Sequence, residues 1–258
     1  MLVTDRLNKL EDLKQKIREC KDCRLCETRI KALPGEGNPN ARVVLIAQAP
    51  GQNEDREGRM FIGPSGKKLD ELLQEADVDR QKIYVTNLVK CMLPKYRKPN
   101  QDEIDKCSQH LTEEIKLVNP SVIATLGYYS TKYIFDYYQI PLPHSTQNLS
   151  NIYGLLHFAD NKKMLPLRHP ASLLYTPSLK KEMTGNYRKL KTLMSDCKWF
   201  SCCPMKRFYE EGKIQRKWIE LYCKGDWKRC VRYYMEEKGK PHPDWLLPDG
   251  SIDYGLSN

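Results

Sequence analysis

Leu7, Leu10, Leu13 and Ile17 recur at helical spacing and predict an amphipathic helix over residues 4–19. The period is lost over residues 20–40, where Cys, Gly and Pro crowd together and a loop is expected. Residues 42–47 form a short apolar run rich in β-branched side chains, which predicts a buried strand ended by the turn at residues 49–51. A helix follows over 67–76. A second strand covers 82–86, with Asn87 at its C-terminal end. Residues 102–118 read as a helix, and 121–126 as a strand closed by Gly127 before a helix over 128–137. A fourth strand over 163–167 ends at Arg168, and a last long helix spans 178–194.

Strands alternating with helices predict an α/β fold, a three-layer α/β/α sandwich around a mostly parallel sheet. This pattern fills one domain, residues 1–195. Polar signatures sit past three strand ends: residues 48–55, Asn87 and His169. Ligands of open α/β sheets bind at that edge. Residues 196–258 read differently, with two helical patterns at 206–222 and 227–237 and a Pro- and Asp-containing end. They are expected to form a small, helical, Cys-rich C-terminal module.

The 258 residues carry 43 Lys and Arg against 33 Asp and Glu, a formal charge of +10. Such an excess attracts polyanions; the competing reading is a merely solvated basic surface. No apolar run approaches bilayer length, and residues 1–15 are charged, unlike a signal peptide. A soluble, cytoplasmic protein is expected, which makes the ten cysteines unusual. In a reducing compartment, clustered cysteines favour metal or cluster ligation over disulfides.

Cys20 and Cys23 form a C-x2-C pair, and Cys91 and Cys107 bracket a basic loop holding Lys95, Arg97 and Lys98. Two such pairs can hold a tetrahedral zinc or a four-iron cluster, and the softness of the ligands allows both. Buried free cysteines are the bland alternative, with Cys26 a spare thiol. In the tail, Cys202, Cys203, Cys223 and Cys230 are candidates for a second metal or cluster site, with Cys197 or His242 as a further ligand. The alternative there is a mini-domain that buries cysteines beside Trp199, Trp218 and Trp227. Its basic helices could extend a DNA-binding face or recruit a protein partner.

The ordered motifs add to this reading. The run from Cys20 to Arg29, Pro34 to Asn40, Ala49 to Asp55, Gly58 to Gly63, Thr86 to Cys91, Pro120 to Gly127 and His169-Pro170-Ala171 together resemble type 4 uracil-DNA glycosylases over residues 14–194. The resemblance implies one 4Fe-4S cluster on Cys20, Cys23, Cys91 and Cys107. It implies a monomeric repair enzyme that hydrolyses the N-glycosidic bond of uracil in single- or double-stranded DNA.

That reaction extrudes the nucleotide, then needs a stacking face, an edge reader and a donor aimed at the departing base. The resemblance gives these roles to Phe61, Asn87 and His169, with Ala49, Pro50 and Gly51 around the base. Arg168 and Ser172 are expected at the DNA backbone beside the basic loop. One motif departs from the family. Ala47 and Gln48 stand where the family has Gly and Glu, so an amide replaces a carboxylate. Glu54 and Asp55 remain as the acidic pair. Three readings stay open: uracil excision, excision of another deaminated base, and uracil-DNA binding with weak turnover.

Overall fold

The computed structural model describes residues 3–142, 150–160 and 162–257. The elements in chain order are α1 (Val3–Glu19), β1 (Glu36–Gly37), β2 (Val43–Ala47), α2 (Gln52–Glu57), α3 (Pro64–Glu75) and β3 (Tyr84–Asn87). Then come α4 (Gln101–Val118), β4 (Val122–Leu126), α5 (Tyr128–Tyr137), β5 (His157–Ala159), β6 (Lys162–Leu167), α6 (Ser172–Tyr175) and α7 (Lys180–Leu193). The tail contributes α8 (Pro204–Glu210), α9 (Arg216–Trp218) and α10 (Val231–Glu237).

The sheet has six strands in the order β1-β3-β2-β4-β6-β5. The inner four are parallel, and β1 and β5 close the two edges antiparallel. Alternation along β2 builds both faces. Val44 and Ile46 join one core, which also takes Leu10 and Ile17 of α1, Leu111 of α4 and Phe135 of α5. Val43 and Leu45 join the other, with Leu69 and Leu72 of α3 and Tyr187 and Leu190 of α7. The fold is α/β, with helices on both faces of the sheet. Among the described residues no helix is long and apolar enough to cross a membrane.

The structure departs from the sequence expectations where elements are short or polar. The loop at 20–40 contains β1, and the edge strand β5 was not foreseen; two- and three-residue edge strands carry too little apolar pattern to be read. Helix α2 is polar throughout, yet buries Glu54 and Asp55. The helix expected from residue 67 starts earlier, with Pro64 in its first turn. The helix expected over 178–194 begins with one tight turn at Pro177–Leu179. In the tail, the pattern at 206–222 breaks after α8, where Gly212 takes a positive φ of 71°. The pattern at 227–237 resolves into a single turn, Trp227–Arg229, followed by α10.

The tail has its own apolar cluster, built on Met205, Phe208, Ile219, Cys223, Leu247 and Leu256. It docks where the parallel strands begin. Buried Lys163, at the start of β6, pairs with Glu220 at 3.1 Å and donates to the Lys224 carbonyl. Arg42, just before β2, pairs with Asp196 at 2.7 Å.

Where the strands end, buried polar groups form a network. Lys90 and Glu114 meet at 2.5 Å with almost no exposure. Lys90 also donates to Thr86 Oγ1 and to the Asn87 carbonyl, and Glu114 accepts from Thr86 and from the Gly35 amide. Removing one partner strands the other's charge, at a cost of about 3–5 kcal/mol. We therefore expect Lys90→Met to lower stability by about that much in urea unfolding, and Lys90→Met combined with Glu114→Leu to recover much of it.

Candidate active site

The C-terminal ends of the strands open into a cleft of about 390 Å³. Gln48, Ala49, Pro50, Gly51 and Glu54 enter it from the end of β2, and Asn87 from the end of β3. Phe61 comes from the turn before α3, and His169 from just past β6. Of the residues expected to touch the base or act on it, all but Asp55 line this cleft.

Asp55 is turned away. It is 2% exposed and accepts from the amides of Ile30 and Lys31 at 3.0–3.1 Å. It therefore ties the cysteine-bearing segment to α2. Glu54, its neighbour, takes the other direction. One carboxylate oxygen accepts from the Gly63 amide at 2.7 Å, and the second lies close to Gly51, where a Cβ would fall 2.6 Å away. Glu54 is the only carboxylate among the described residues lining the cleft.

Phe61 is held in a costly conformation. Its φ is 56°, a left-handed geometry that costs an L-residue roughly 1–2 kcal/mol. Two features impose it. Arg80 donates to the Met60 carbonyl at 2.8 Å, and Gly66 leaves room for the Phe61 carbonyl, which a Cβ there would meet at 1.8 Å. The ring then stacks near His169, with centroids 6.2 Å apart and planes at 28°.

Asn87 is 2% exposed. Its Nδ2 reaches only the weak acceptor Sδ of Met60, at 3.4 Å. Its Oδ1 is buried and finds no donor among the described residues. A buried unpaired acceptor is costly and is kept where a ligand completes it.

His169 Nδ1 accepts from the Ala171 amide at 3.1 Å. That bond fixes the tautomer: in the neutral ring the proton sits on Nε2, leaving an N–H donor. Protein surrounds the ring except on its cleft side, and this desolvation pushes its pKa down to about 4. The imidazole is therefore neutral at physiological pH. Gly127, with φ 89°, packs against the His169 Cβ.

At the rim, Lys95 and Lys98 are exposed. Arg97 is held by Glu103 at 2.8 Å, and this pairing lowers the Glu103 pKa. Arg168 is paired with Glu182 at 2.9 Å and lies over the Tyr153 ring. Ser172 opens α6 beside His169, its amide donating to the His169 carbonyl. Sequence reasoning missed Tyr96, Leu174 and Tyr175, all exposed at the rim. The signal for Tyr96 was an aromatic set between Lys95 and Arg97; Tyr175 offered none.

Cys20, Cys23, Cys91 and Cys107 line a second cleft, next to the first. Arg29 donates to the Cys91 sulfur at 2.9 Å, the Lys90 amide to that of Cys107 at 3.1 Å, and His110 Nε2 lies 3.4 Å from that of Cys20. Burial holds the free Cys107 thiol at about 12, so ligation must displace its proton. This environment fits an anionic centre bound through thiolates. A single tetrahedral zinc would bring its sulfurs to roughly 3.8 Å of one another. Among the described residues, the one set of three candidate ligand atoms within 4.8 Å is Cys20, Asp22 and His110, with a single sulfur. The four thiols thus stand wider than one ion requires. The cysteines proposed for the tail, Cys197, Cys202, Cys203, Cys223 and Cys230, line a third cleft. His242 is not among its lining residues; its ring nitrogens face Glu236 and the Pro243 carbonyl.

The lowered pKa has a measurable consequence. The ring favours the folded state while it is neutral, and this contribution is lost as pH falls from about 6.5 toward 4. We expect NMR of the His169 ring to show no protonation between neutral pH and about 5, and stability to fall across that window.

The comparisons with known proteins agree with this geometry. The model of the uracil DNA glycosylase superfamily matches residues 34–191. A type-4 uracil-DNA glycosylase of Sulfurisphaera tokodaii is 36% identical over 192 residues, 72% of this chain and 86% of that protein. One from Archaeoglobus fulgidus is 31% identical over 187 residues, 72% of this chain and 94% of its own. A type-5 uracil-DNA glycosylase of Pyrobaculum aerophilum matches less, 33% over 112 residues, 38% of this chain. The family match stops before the C-terminal module, and over its span the chain belongs to the uracil DNA glycosylase superfamily.

Proposed function

We propose that this protein is a monofunctional DNA-repair glycosylase that removes uracil from DNA and that carries a 4Fe-4S cluster on Cys20, Cys23, Cys91 and Cys107. The observation that carries the reading is one cleft in which an unpaired Asn87 acceptor faces the same space as a fixed, neutral His169 donor.

An extruded uracil stacks on Phe61, between ring and cleft wall. The Asn87 carboxamide accepts from uracil N3–H and donates to O4. Cytosine presents an acceptor and a donor in those places, so both contacts fail. A pocket built on such hydrogen bonds rejects a mismatched edge strongly. The pair of electrons in the C1′–N1 bond leaves with the base, and the charge that builds on O2 meets His169 Nε2–H. A neutral donor suits this step, since it stabilises the anion without needing to lose a proton.

Water then adds through its oxygen to the sugar C1′, and its proton passes to Glu54. Products are an abasic site and uracil, whose anion takes up a proton from solvent as Glu54 returns its own to solvent. The Gln48 amide can orient that water but cannot take its proton. Glu54 carries the burden that the family places on the missing carboxylate, and Asp55 acts as a positioning residue behind it.

The iron–sulfur cluster is structural in this reading. It fixes both ends of the segment between Cys91 and Cys107, whose Lys95 and Lys98 reach DNA phosphates. Arg97 and Arg168 shape the rim through their carboxylate partners, and Ser172 stands next to the backbone. Tyr96 and Tyr175 supply stacking surface for neighbouring bases, a contact that any base can make. The enzyme acts as a monomer on intracellular DNA.

The test is cleavage of oligonucleotides carrying one uracil, hypoxanthine or xanthine. We expect abasic sites from uracil and little from the others. His169→Ala should lower the single-turnover rate by about 10²–10³-fold. Asn87→Ala should weaken discrimination against cytosine by about 10–100-fold. Gln48→Glu should leave the rate equal or higher. Tight binding of uracil DNA without cleavage by the native chain, reversed by Gln48→Glu, would overturn the reading in favour of a binding protein.

A further inference from the structure

The C-terminal module repeats, in a different place, the features of the first cysteine cleft. Cys197, Cys203, Cys223 and Cys230 converge on one cleft from four separate turns. The Cys197 amide bonds to the Cys223 carbonyl at 2.7 Å, which ties the first of the set to the third. Cys202 differs from the rest: it is exposed, and its sulfur rests on the Trp199 carbonyl.

The surroundings offer donors to negative sulfur. Two side chains lining the cleft, Trp227 and Arg232, carry buried N–H groups (Nε1 and Nε) with no partner among the described residues. Buried donors without acceptors are rare, and a thiolate- and sulfide-bearing centre would supply acceptors.

A staple would also serve the module. Its longest uninterrupted helical run, Arg216–Cys223, is two turns, and its buried apolar cluster is small. A core of this size supplies little stability on its own. As in the first cleft, no three of these sulfurs lie within 4.8 Å of one another, wider than one tetrahedral ion requires.

The geometry points to a second iron–sulfur cluster, held by Cys197, Cys203, Cys223 and Cys230, that organises the C-terminal module. Ligation releases the four thiol protons to solvent and forms four iron–sulfur bonds. The centre sits far from the uracil cleft. The module docks at Arg42 and Lys163, where the parallel strands begin, and the cleft lies at their other end, roughly 17 Å of strand away. It therefore serves the module and not the excision reaction.

The test uses the full chain, purified without oxygen, with iron, acid-labile sulfide and zinc measured together. The expected content is about eight irons and eight sulfides per chain, one cube at each cleft. Cys223→Ser and Cys91→Ser should each remove about half, and Cys202→Ser should remove none. About four irons in the native chain, with or without one zinc, would overturn the proposal. So would a full iron content unchanged by Cys223→Ser. If Cys223→Ser precipitates, the native stoichiometry and Cys202→Ser still decide. Uracil release by the same native preparation reads the proposed activity separately, so either can fail without the other.

Discussion

Lys90 and Glu114 form an ion pair inside the protein, and most of what matters at the strand ends hangs from it. Charges this deep are tolerated only when every remaining donor and acceptor is matched. Here the matches reach four segments. Glu114 comes from α4, Thr86 and Asn87 from the end of β3, Gly35 from the segment before β1, and Lys90 from the step into the cysteine cleft. The Lys90 amide donates to the Cys107 sulfur, and its carbonyl accepts from Leu33. One buried pair thus sets the position of the strand that ends in Asn87 and of the cysteines at once. Asp55 provides the parallel link, joining residues 30 and 31 to the helix that carries Glu54.

That linkage would let a cluster on these cysteines, taking no part in bond breaking, still matter to the strand ends. One stretch of chain lines both clefts in turn: Asn87 faces the larger one, and Lys90 and Cys91, three and four residues on, face the cysteine cleft. Rigid attachment on one side keeps the unpaired carboxamide on the other from relaxing toward an internal partner. Phe61 is held on the same principle. Its left-handed backbone is imposed by Arg80 and by the space at Gly66, so the ring is fixed on the cleft wall before any ligand arrives. Preorganisation of this kind lets a pocket act without rearranging during the reaction.

Much of this was legible in the amino-acid sequence, for a physical reason. Parallel strands buried on both faces read as apolar runs, so β2, β3, β4 and β6 stand out, and the residues just past their ends mark the cleft. The ordered motifs then located Phe61, Asn87 and His169 by number. Three things were not legible. Edge strands β1 and β5 are too short to carry a pattern. Asp55 looks like a second catalytic carboxylate until its partners, 24 and 25 residues earlier in the chain, are seen. The same holds for Arg97 and Arg168, whose charges pair with Glu103 and Glu182 rather than standing free. Pairing across the fold is a tertiary fact, and local sequence does not encode it.

The most direct test of the account concerns Glu54. Gln48 occupies the position where the family has a carboxylate, and the cleft offers Glu54 in its stead. Glu54→Gln keeps an acceptor for the Gly63 amide and removes the negative charge together with the ability to take a proton. Single-turnover release of uracil from a defined oligonucleotide should then fall by about 10²–10⁴-fold, with DNA affinity nearly unchanged. A rate within about twofold of the native chain, too small a change for loss of a general base, would contradict the assignment and return the problem to Gln48.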